Sequence, residues 1–572
     1  MKIRNFLAAS AALLSWASNV TARFAETPFL LVNSTSNPTS HDSHSSPQFN
    51  ITADVEGSGN SLAFVLETNR EFTARDAYIQ YINVHGNVRS VEPSTQPTYH
   101  VTKGSVWMRS AGRPWVKVGW ARVTVLEDTA KPLFEGTFAI SSEQYRIQLE
   151  QERNDGLSDL QTGYMLVYPA SAPSISGHDD SSLQQSCASP SMAFLDRRQL
   201  GWDADSANEN LTDTVGSTSG CPTSRRIAYI GVVTDCTYSG GFNSTDAVRR
   251  NIINVVNTAS VVFENSFNVS LGLRNLTISD ADCPDSASGT SHSQWNAPCS
   301  SGNLNWRLDR FSSWRSSIDD DNAYWSLLTG CPNTGAVGIS WVGELCNSGA
   351  SGYHSSTPGA NVIARSQSEW QVFAHESAHT FGAIHDCDSS TCQAGADEDS
   401  QCCPRSSSTC DADGEYIMNP SSNRGMTRFS PCTIGNICSR FGSRRTSTQC
   451  LVSVSDADGG GNSTVPDGKC GNGIVEAGEA CDCGGNACNE RDARCCDSMT
   501  CQWRGGEECA RSRAGGGNGS EDDSARSWVD AHRPLVIGLS AGIGGALVLA
   551  VILAIVACCW RRRVPRKLSE SS

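Results

Sequence analysis

Basic side chains are too few in this sequence for a nucleic-acid partner. Lys and Arg number 44 against 60 Asp and Glu, a formal net charge of −16, whereas a nucleic-acid footprint needs basic excess. Apolar residues are also limited, at 38%, which excludes a polytopic membrane protein. Cysteine is nearly missing from one long stretch: Cys187 stands alone between residues 23 and 220. That part is no disulfide scaffold, and it contains no catalytic motif. Elsewhere cysteine is abundant. Twenty-five in 572 residues marks a chain oxidised in the secretory pathway, hence secreted or surface-exposed. At about 150 residues per domain the length predicts roughly four units.

The two ends predict the compartment. Residues 1–22 have a charged start at Lys2 and Arg4, an apolar stretch from Phe6 to Trp16, and small residues near Ala17 and Ala22, the pattern of a signal peptide. Leu535 to Cys559 is an uncharged apolar run of 25 residues, long enough to cross a bilayer with some tilt. Arg561, Arg562, Arg563, Arg566 and Lys567 follow it, and the positive-inside bias places residues 560–572 in the cytoplasm. A glycolipid-anchor signal would end in its apolar tail instead. The expected topology is type I and single-pass, with the rest of the chain extracellular or lumenal.

Cysteine placement divides the ectodomain. Fourteen lie between Cys221 and Cys450 and eight between Cys470 and Cys509, even counts that allow pairing within each unit. Residues 456–465 are a linker by composition and 511–534 a stalk. Acceptor sequons for N-glycosylation occur at Asn33, Asn50, Asn210, Asn243, Asn268, Asn275, Asn462 and Asn518. Residues 23–198 alternate as half-buried strands do, with Tyr145, Ile147 and Leu149 on one face, and Val116, Val118 and Trp120 likewise. After that the period changes. Val248, Ile252, Val255, Ala259 and Val262 predict a helix entered through Ser244 or Thr245, and Leu304, Leu308, Phe311 and Ile318 a second. Apolar runs at 227–233, 269–273, 325–328 and 337–342 predict strands, so residues 199–455 are expected to be α/β.

The chemistry is concentrated at His375-Glu376-Ser377-Ala378-His379. Four residues apart on a helix, His375 and His379 project from one face and can grip one ion, with Glu376 beside them as general base for a water. His385 lies six residues beyond His379, well off that face, so the helix must stop before it can contribute. Gly382 permits the left-handed turn this requires. Three imidazoles and one open position suit zinc.

The run His375-Glu376-Ser377-Ala378-His379-Thr380-Phe381-Gly382-Ala383-Ile384-His385-Asp386 resembles the metzincin zinc-endopeptidase motif, and its closing Asp386 the adamalysin/ADAM branch. Tyr416-Ile417-Met418-Asn419-Pro420 resembles the Met-turn, which implies that Met418 floors the site without ligating. Cys470 to Gly484 resembles the opening of an ADAM disintegrin domain. The resemblance implies a multidomain chain: a β-rich pro-domain (23–198), an α/β metzincin catalytic domain (199–455), a small disulfide-rich disintegrin-like domain (466–510) and a single transmembrane helix (535–559). It implies a zinc endopeptidase acting on protein or peptide substrates, with 337–342 as the edge strand along which substrate lies extended. It also makes Asn472, Glu476, Glu479 and Asp482 candidate calcium ligands; a solvated acidic loop is the other reading. Arg197-Arg198 is the expected cut for a processing convertase, with Arg225-Arg226 as rival. Cys187 is a candidate zinc ligand of the latent form, although Gln185-Ser186-Cys187-Ala188 departs from the family's Pro-Lys-x-Cys-Gly and a free linker thiol is an equal reading. The disintegrin-like unit is short and lacks Arg-Gly-Asp, so integrin binding is not expected. A non-catalytic adhesion protein is the competing class.

Overall fold

The computed structural model describes residues 29–38, 48–93, 99–127, 131–141, 143–149, 165–170, 211–284, 293–331, 337–349, 357–366, 368–396, 401–421 and 426–454. The chain divides into two units, 1–460 and 461–572, and the described residues all belong to the first. The signal segment, Cys187, Arg197-Arg198, Asn210, Asn462, Asn518, the disintegrin-like unit with Asn472, Glu476, Glu479 and Asp482, the stalk and the 535–559 run lie outside the described residues. Among those described, no helix is long and apolar enough to cross a membrane.

The N-terminal part is β-rich, as the alternation predicts. Its strands are β1 (Phe29–Pro38), β2 (Gln48–Val55), β3 (Asn60–Thr68), β4 (Thr73–Ile82), β5 (Val88–Pro93), β6 (His100–Ser110), β7 (Val116–Glu127), β8 (Leu133–Ile140), β9 (Glu143–Leu149) and β10 (Met165–Pro169). Eight of them close an antiparallel barrel in the order β1-β10-β9-β8-β7-β6-β3-β2, which removes sheet edges. Its interior holds Phe64, Phe134, Phe138 and Tyr145, none more than 0% exposed. Tyr145 and Ile147 face this core as expected. On β7, however, Val116 is 50% exposed, and Ala121, Val123 and Val125 fill the barrel instead. A register shift opposite Val106 and Trp107 turns the strand over, since one extra residue moves every later side chain to the other face.

The cysteine-rich part is α/β. It contributes β11 (Arg226–Thr234), β12 (Val269–Ser279), β13 (Trp325–Thr329), β14 (Gly338–Ser340), β15 (Ala360–Ala364) and β16 (Val452–Ser453), and helices α1 (Thr245–Phe267), α2 (Leu304–Arg315), α3 (Glu369–Phe381) and α4 (Pro431–Gly442). The sheet order is β14-β15-β13-β11-β12-β4-β5, with β16 paired to β11. Strands β15, β13, β11 and β12 are parallel and β14 closes one end antiparallel. Ser244 caps α1, its hydroxyl accepting from the Ala247 amide, and α1 packs on β12 and α3, where Phe263 meets Phe381 at a ring separation of 4.9 Å. α2 stops at Arg315, short of Ile318, because Ser316 and Ser317 form the closing turn. Arg226 opens β11, so the rival dibasic step is built into the sheet. All fourteen cysteines pair: Cys221–Cys438, Cys236–Cys283, Cys299–Cys331, Cys346–Cys450, Cys387–Cys402, Cys392–Cys410 and Cys403–Cys432.

Asn33 and Asn243 are exposed and Asn50 half-buried. Asn268 is half-buried as the left-handed cap of α1 and donates to the Pro222 carbonyl at 3.2 Å. Asn275 corrects the sequence expectation. It lies mid-sheet on β12 at 3% exposure and accepts from Asn322 at 2.5 Å, so no glycan fits there.

A buried ion pair of the N-terminal part is tied to the cysteine-rich part by a hydroxyl. Lys103 Nζ donates to Glu71 at 2.7 Å, and the Ser270 hydroxyl of β12 donates to the other carboxylate oxygen. Burial alone would raise the Glu71 pKa; the Lys103 charge and these hydrogen bonds overcome it and hold the group down at about 2, against an ordinary 4.5. Its stabilising contribution is therefore complete above 4.5 and vanishes as the pH falls toward 2, at most about 3 kcal/mol. Thermal melting across that range is expected to show a Glu71→Gln variant less stable than wild type near neutrality and equal to it at the acid end.

Candidate active site

Helix α3 carries the first two histidines. Its buried face includes His375 and His379, 3% and 6% exposed, with Glu376 at 1%. The helix ends where the spacing requires. Gly382 adopts φ 111°, and its amide caps the Ala378 and His379 carbonyls. A Cβ there would lie 2.7 Å from Arg440 Nε, so glycine is needed for space as well as for conformation. The reversal returns His385 to the first two: its Nε2 is 3.1 Å from His379 Nε2 and 3.2 Å from His375 Nε2.

Backbone carbonyls fix the rings. His375 Nδ1 lies 2.6 Å from the Ile417 oxygen and His379 Nδ1 2.8 Å from the Ala383 oxygen. Each Nδ1 therefore carries the proton, and each Nε2 presents a lone pair to the centre. Burial, and secondly the neighbouring His379 ring, push the His375 pKa down to about 3; burial brings His379 to about 4 against the pull of the Ala383 carbonyl. Burial followed by its two imidazole neighbours takes His385 well below its usual range. Neutral imidazoles are what a metal requires. Three nitrogens on a tetrahedral zinc, each at about 2.0–2.1 Å, would stand about 3.3 Å apart, close to the observed separations. Zinc fits the set.

The expected Met-turn is in place. Met418 is fully buried, its carbonyl accepts from the Asp386 amide at 2.9 Å, and the preceding Ile417 carbonyl is the one that orients His375. Asp386 is also fully buried. Its Oδ1 accepts from Ser430 at 2.5 Å and Thr433 at 3.3 Å, tying the third histidine's segment to the start of α4. Burial outweighs these two bonds and pushes Asp386 up to about 7.

The model of metallo-peptidase family M12, reprolysin type, matches residues 223–430. Residues 223–430 are a reprolysin-type M12 metallo-peptidase domain. It is 40% identical over 530 residues to a disintegrin and metalloproteinase domain-containing protein B of Aspergillus fumigatus, covering 84% of this chain and 66% of that protein. A protein of the same name from Arthroderma otae is 36% identical, over 82% of this chain and 64% of that one. The zinc metalloprotease mde10 of Schizosaccharomyces pombe is 31% identical over 301 residues, 49% of this chain and 56% of that protein. The chain thus spans just under two thirds of the length of the first two relatives.

Two features of this M12 domain escaped sequence reasoning. Glu369, in the first turn of α3, is buried with Tyr238 and Asn251, which donate to it at 2.5 Å and 3.0 Å. Burial raises its pKa, opposed by these donors. No spacing rule links positions 118 to 131 apart. The other is Gly338 on β14. A Cβ at this position would lie 2.2 Å from Glu376 Oε1 and 2.6 Å from its Cδ and Cγ. Glycine here makes the space in which the carboxylate sits. Gly338→Ala is expected to displace Glu376 and lower kcat for peptide hydrolysis about 100-fold, with the zinc content per chain unchanged; a kinetic assay beside metal analysis checks both.

Proposed function

We propose that the protein is a zinc-dependent endopeptidase of the extracellular or lumenal space, made as a zymogen and held at a membrane by residues 535–559. The observation that carries the catalytic part is the convergence of three buried, neutral imidazoles beside Glu376, with the glycine of the edge strand β14 packed against that carboxylate. Zinc bound to His375, His379 and His385 would supply Lewis acidity and bring the pKa of a water toward 7. Glu376 takes the proton of the attacking water as its oxygen adds to the scissile carbonyl carbon. It returns a proton to the departing amine nitrogen as the C–N bond breaks. Strand β14 pairs only with β15 among the described strands, so its other edge is available to an extended peptide through main-chain hydrogen bonds, a mode that gives little sequence selectivity.

Sequence features support the remaining assignments: the signal segment and basic-flanked apolar run for a type I anchor, Arg197-Arg198 for convertase processing, and the acidic loop of 472–482 for calcium. Anchored in this way, the enzyme acts on juxtamembrane segments of surface proteins or on soluble proteins nearby. The retained histidines and glutamate oppose the adhesion-only alternative, whose members have lost such ligands.

Glu376→Ala in the processed ectodomain should retain about one zinc per chain and lose at least about 10³-fold in kcat on an unfolded protein substrate. A chelator should abolish wild-type cleavage and added zinc restore it. Metal-replete Glu376→Ala that still cleaves would refute the assignment.

A further inference from the structure

The ladder between β4 and β12 is broken at one point. Thr73 lies opposite Leu273 and Tyr78 opposite Asn275, so residues 74–77 of β4 face Arg274 alone. Four residues cannot lie flat against one, and the two strands part there. A cavity of about 330 Å³ occupies the opening. It is bounded by β4 and β12, by Arg249 and Ile253 of α1, and by Tyr99 at the approach to β6.

The lining has charge of one sign. Arg70, Arg75, Arg249 and Arg274 contribute to it, and among the described residues no Asp or Glu does, in a chain of net charge −16. Arg249 is held from outside by Glu92, which accepts from its Nη1 at 2.9 Å, and Arg274 by Asp76, which accepts from its Nε at 3.2 Å. Those pairs leave other atoms over. Arg249 Nε and Arg274 Nη1 are buried with no hydrogen-bond partner among the described residues, and so are the Tyr99 hydroxyl, Asn69 Oδ1 and Thr68 Oγ1. All five belong to side chains that line this one cavity.

Buried polar groups are ordinarily paired, so five unpaired ones around a single void call for a partner inside it. Tyr99 and Asn69 are only 4% and 6% exposed. Burial pushes the Tyr99 pKa up to about 12, so the hydroxyl keeps its proton and is a donor. The Arg249 guanidinium lies 5.3 Å from the centre of the Tyr99 ring, which brings two donors together at one wall. Phe72, Ile79, Ile253, Leu273 and Leu276 supply an apolar wall beside them. Donors with positive charge at one side and hydrocarbon at the other suit an anion with an apolar body, and the volume is that of a small-molecule site.

We propose that this cavity binds a small carboxylate carrying an apolar group, with the carboxylate on Arg249 and Tyr99 and the apolar group against Phe72, Ile253 and Leu276. Two sources share that chemistry: a free fatty acid, and the carboxyl end of a short peptide with an apolar last residue. Asn69 Oδ1 is an acceptor, and only the peptide brings an N–H to meet it, so the peptide is the better fit. The site is separate from the zinc centre and does not depend on the peptidase reading.

The test is calorimetric titration of the uncut chain, residues 23–534, with three probes: acetyl-Leu-Leu with a free carboxylate, the same peptide amidated, and decanoate. One acetyl-Leu-Leu is expected to bind per chain below about 1 mM, and the amidated form about tenfold or more weaker. Tyr99→Phe is expected to weaken the free acid about tenfold without lowering the melting temperature of the empty protein, because the hydroxyl it removes has no partner to lose. Ala77→Leu, which fills the opening, is expected to abolish binding; if that variant does not fold, Tyr99→Phe carries the test. Chelator-treated protein should bind as wild type does. Decanoate binding more tightly than the peptide, with the same loss in Tyr99→Phe, supports the site and names the fatty acid as its source. Absence of saturable binding by either acid overturns the proposal and leaves the cavity to water. Binding that vanishes with the metal, or that Tyr99→Phe leaves unchanged, overturns it as well.

Discussion

Two carbonyl oxygens, those of Ile417 and Ala383, decide which nitrogen of His375 and His379 carries a proton. Everything at the centre follows from that. With Nδ1 engaged, each ring turns Nε2 inward, and burial keeps both rings neutral. Neither carbonyl is placed by α3 itself. Ala383 is held by the left-handed reversal at Gly382, and Ile417 by the turn whose next residue receives the Asp386 amide. The site is thus a meeting of three backbone segments, and the disulfides act on those segments. Cys387–Cys402 and Cys403–Cys432 brace the segment after His385, whose carbonyl accepts from the Cys403 amide at 2.8 Å.

Buried charge elsewhere is paired as well. Arg307 and Asp235 are both fully buried and meet at 2.8 Å. Arg307 also donates to the carbonyls of Trp295, Ala297 and Pro298, while Asp235 accepts from the Tyr238 amide. An isolated charge in this position would be strongly destabilising. The pair fixes α2 to the end of β11, and Tyr238 carries the connection on to Glu369 and α3.

What could be read from the sequence is what short-range physics determines. The period of α1, its Ser244 cap, the runs of β11 and β13, and the arrest of α3 at Gly382 are all local, and they stand as expected. Strand β12 runs six residues past the apolar stretch at 269–273, because Asn275 and Thr277 find partners only across the sheet. Helix α4 escaped notice although Ser430-Pro431 is a good start signal, a capping hydroxyl followed by a residue preset for the first turn. β15 is only Ala360–Ala364, too short for periodicity to separate it from other buried segments. The joining of β4 to β12 links positions about 200 apart, and the role of Gly338 depends on the side chain of a residue 38 positions later. No window along the chain contains either relation.

The buried Asn275 has a consequence in time. Its sequon is intact in the extended chain, whereas the finished strand has a neighbour on each side and no room for an added group. Attachment of sugar and closure of the sheet exclude one another, so a chain modified at this position is diverted from the native state.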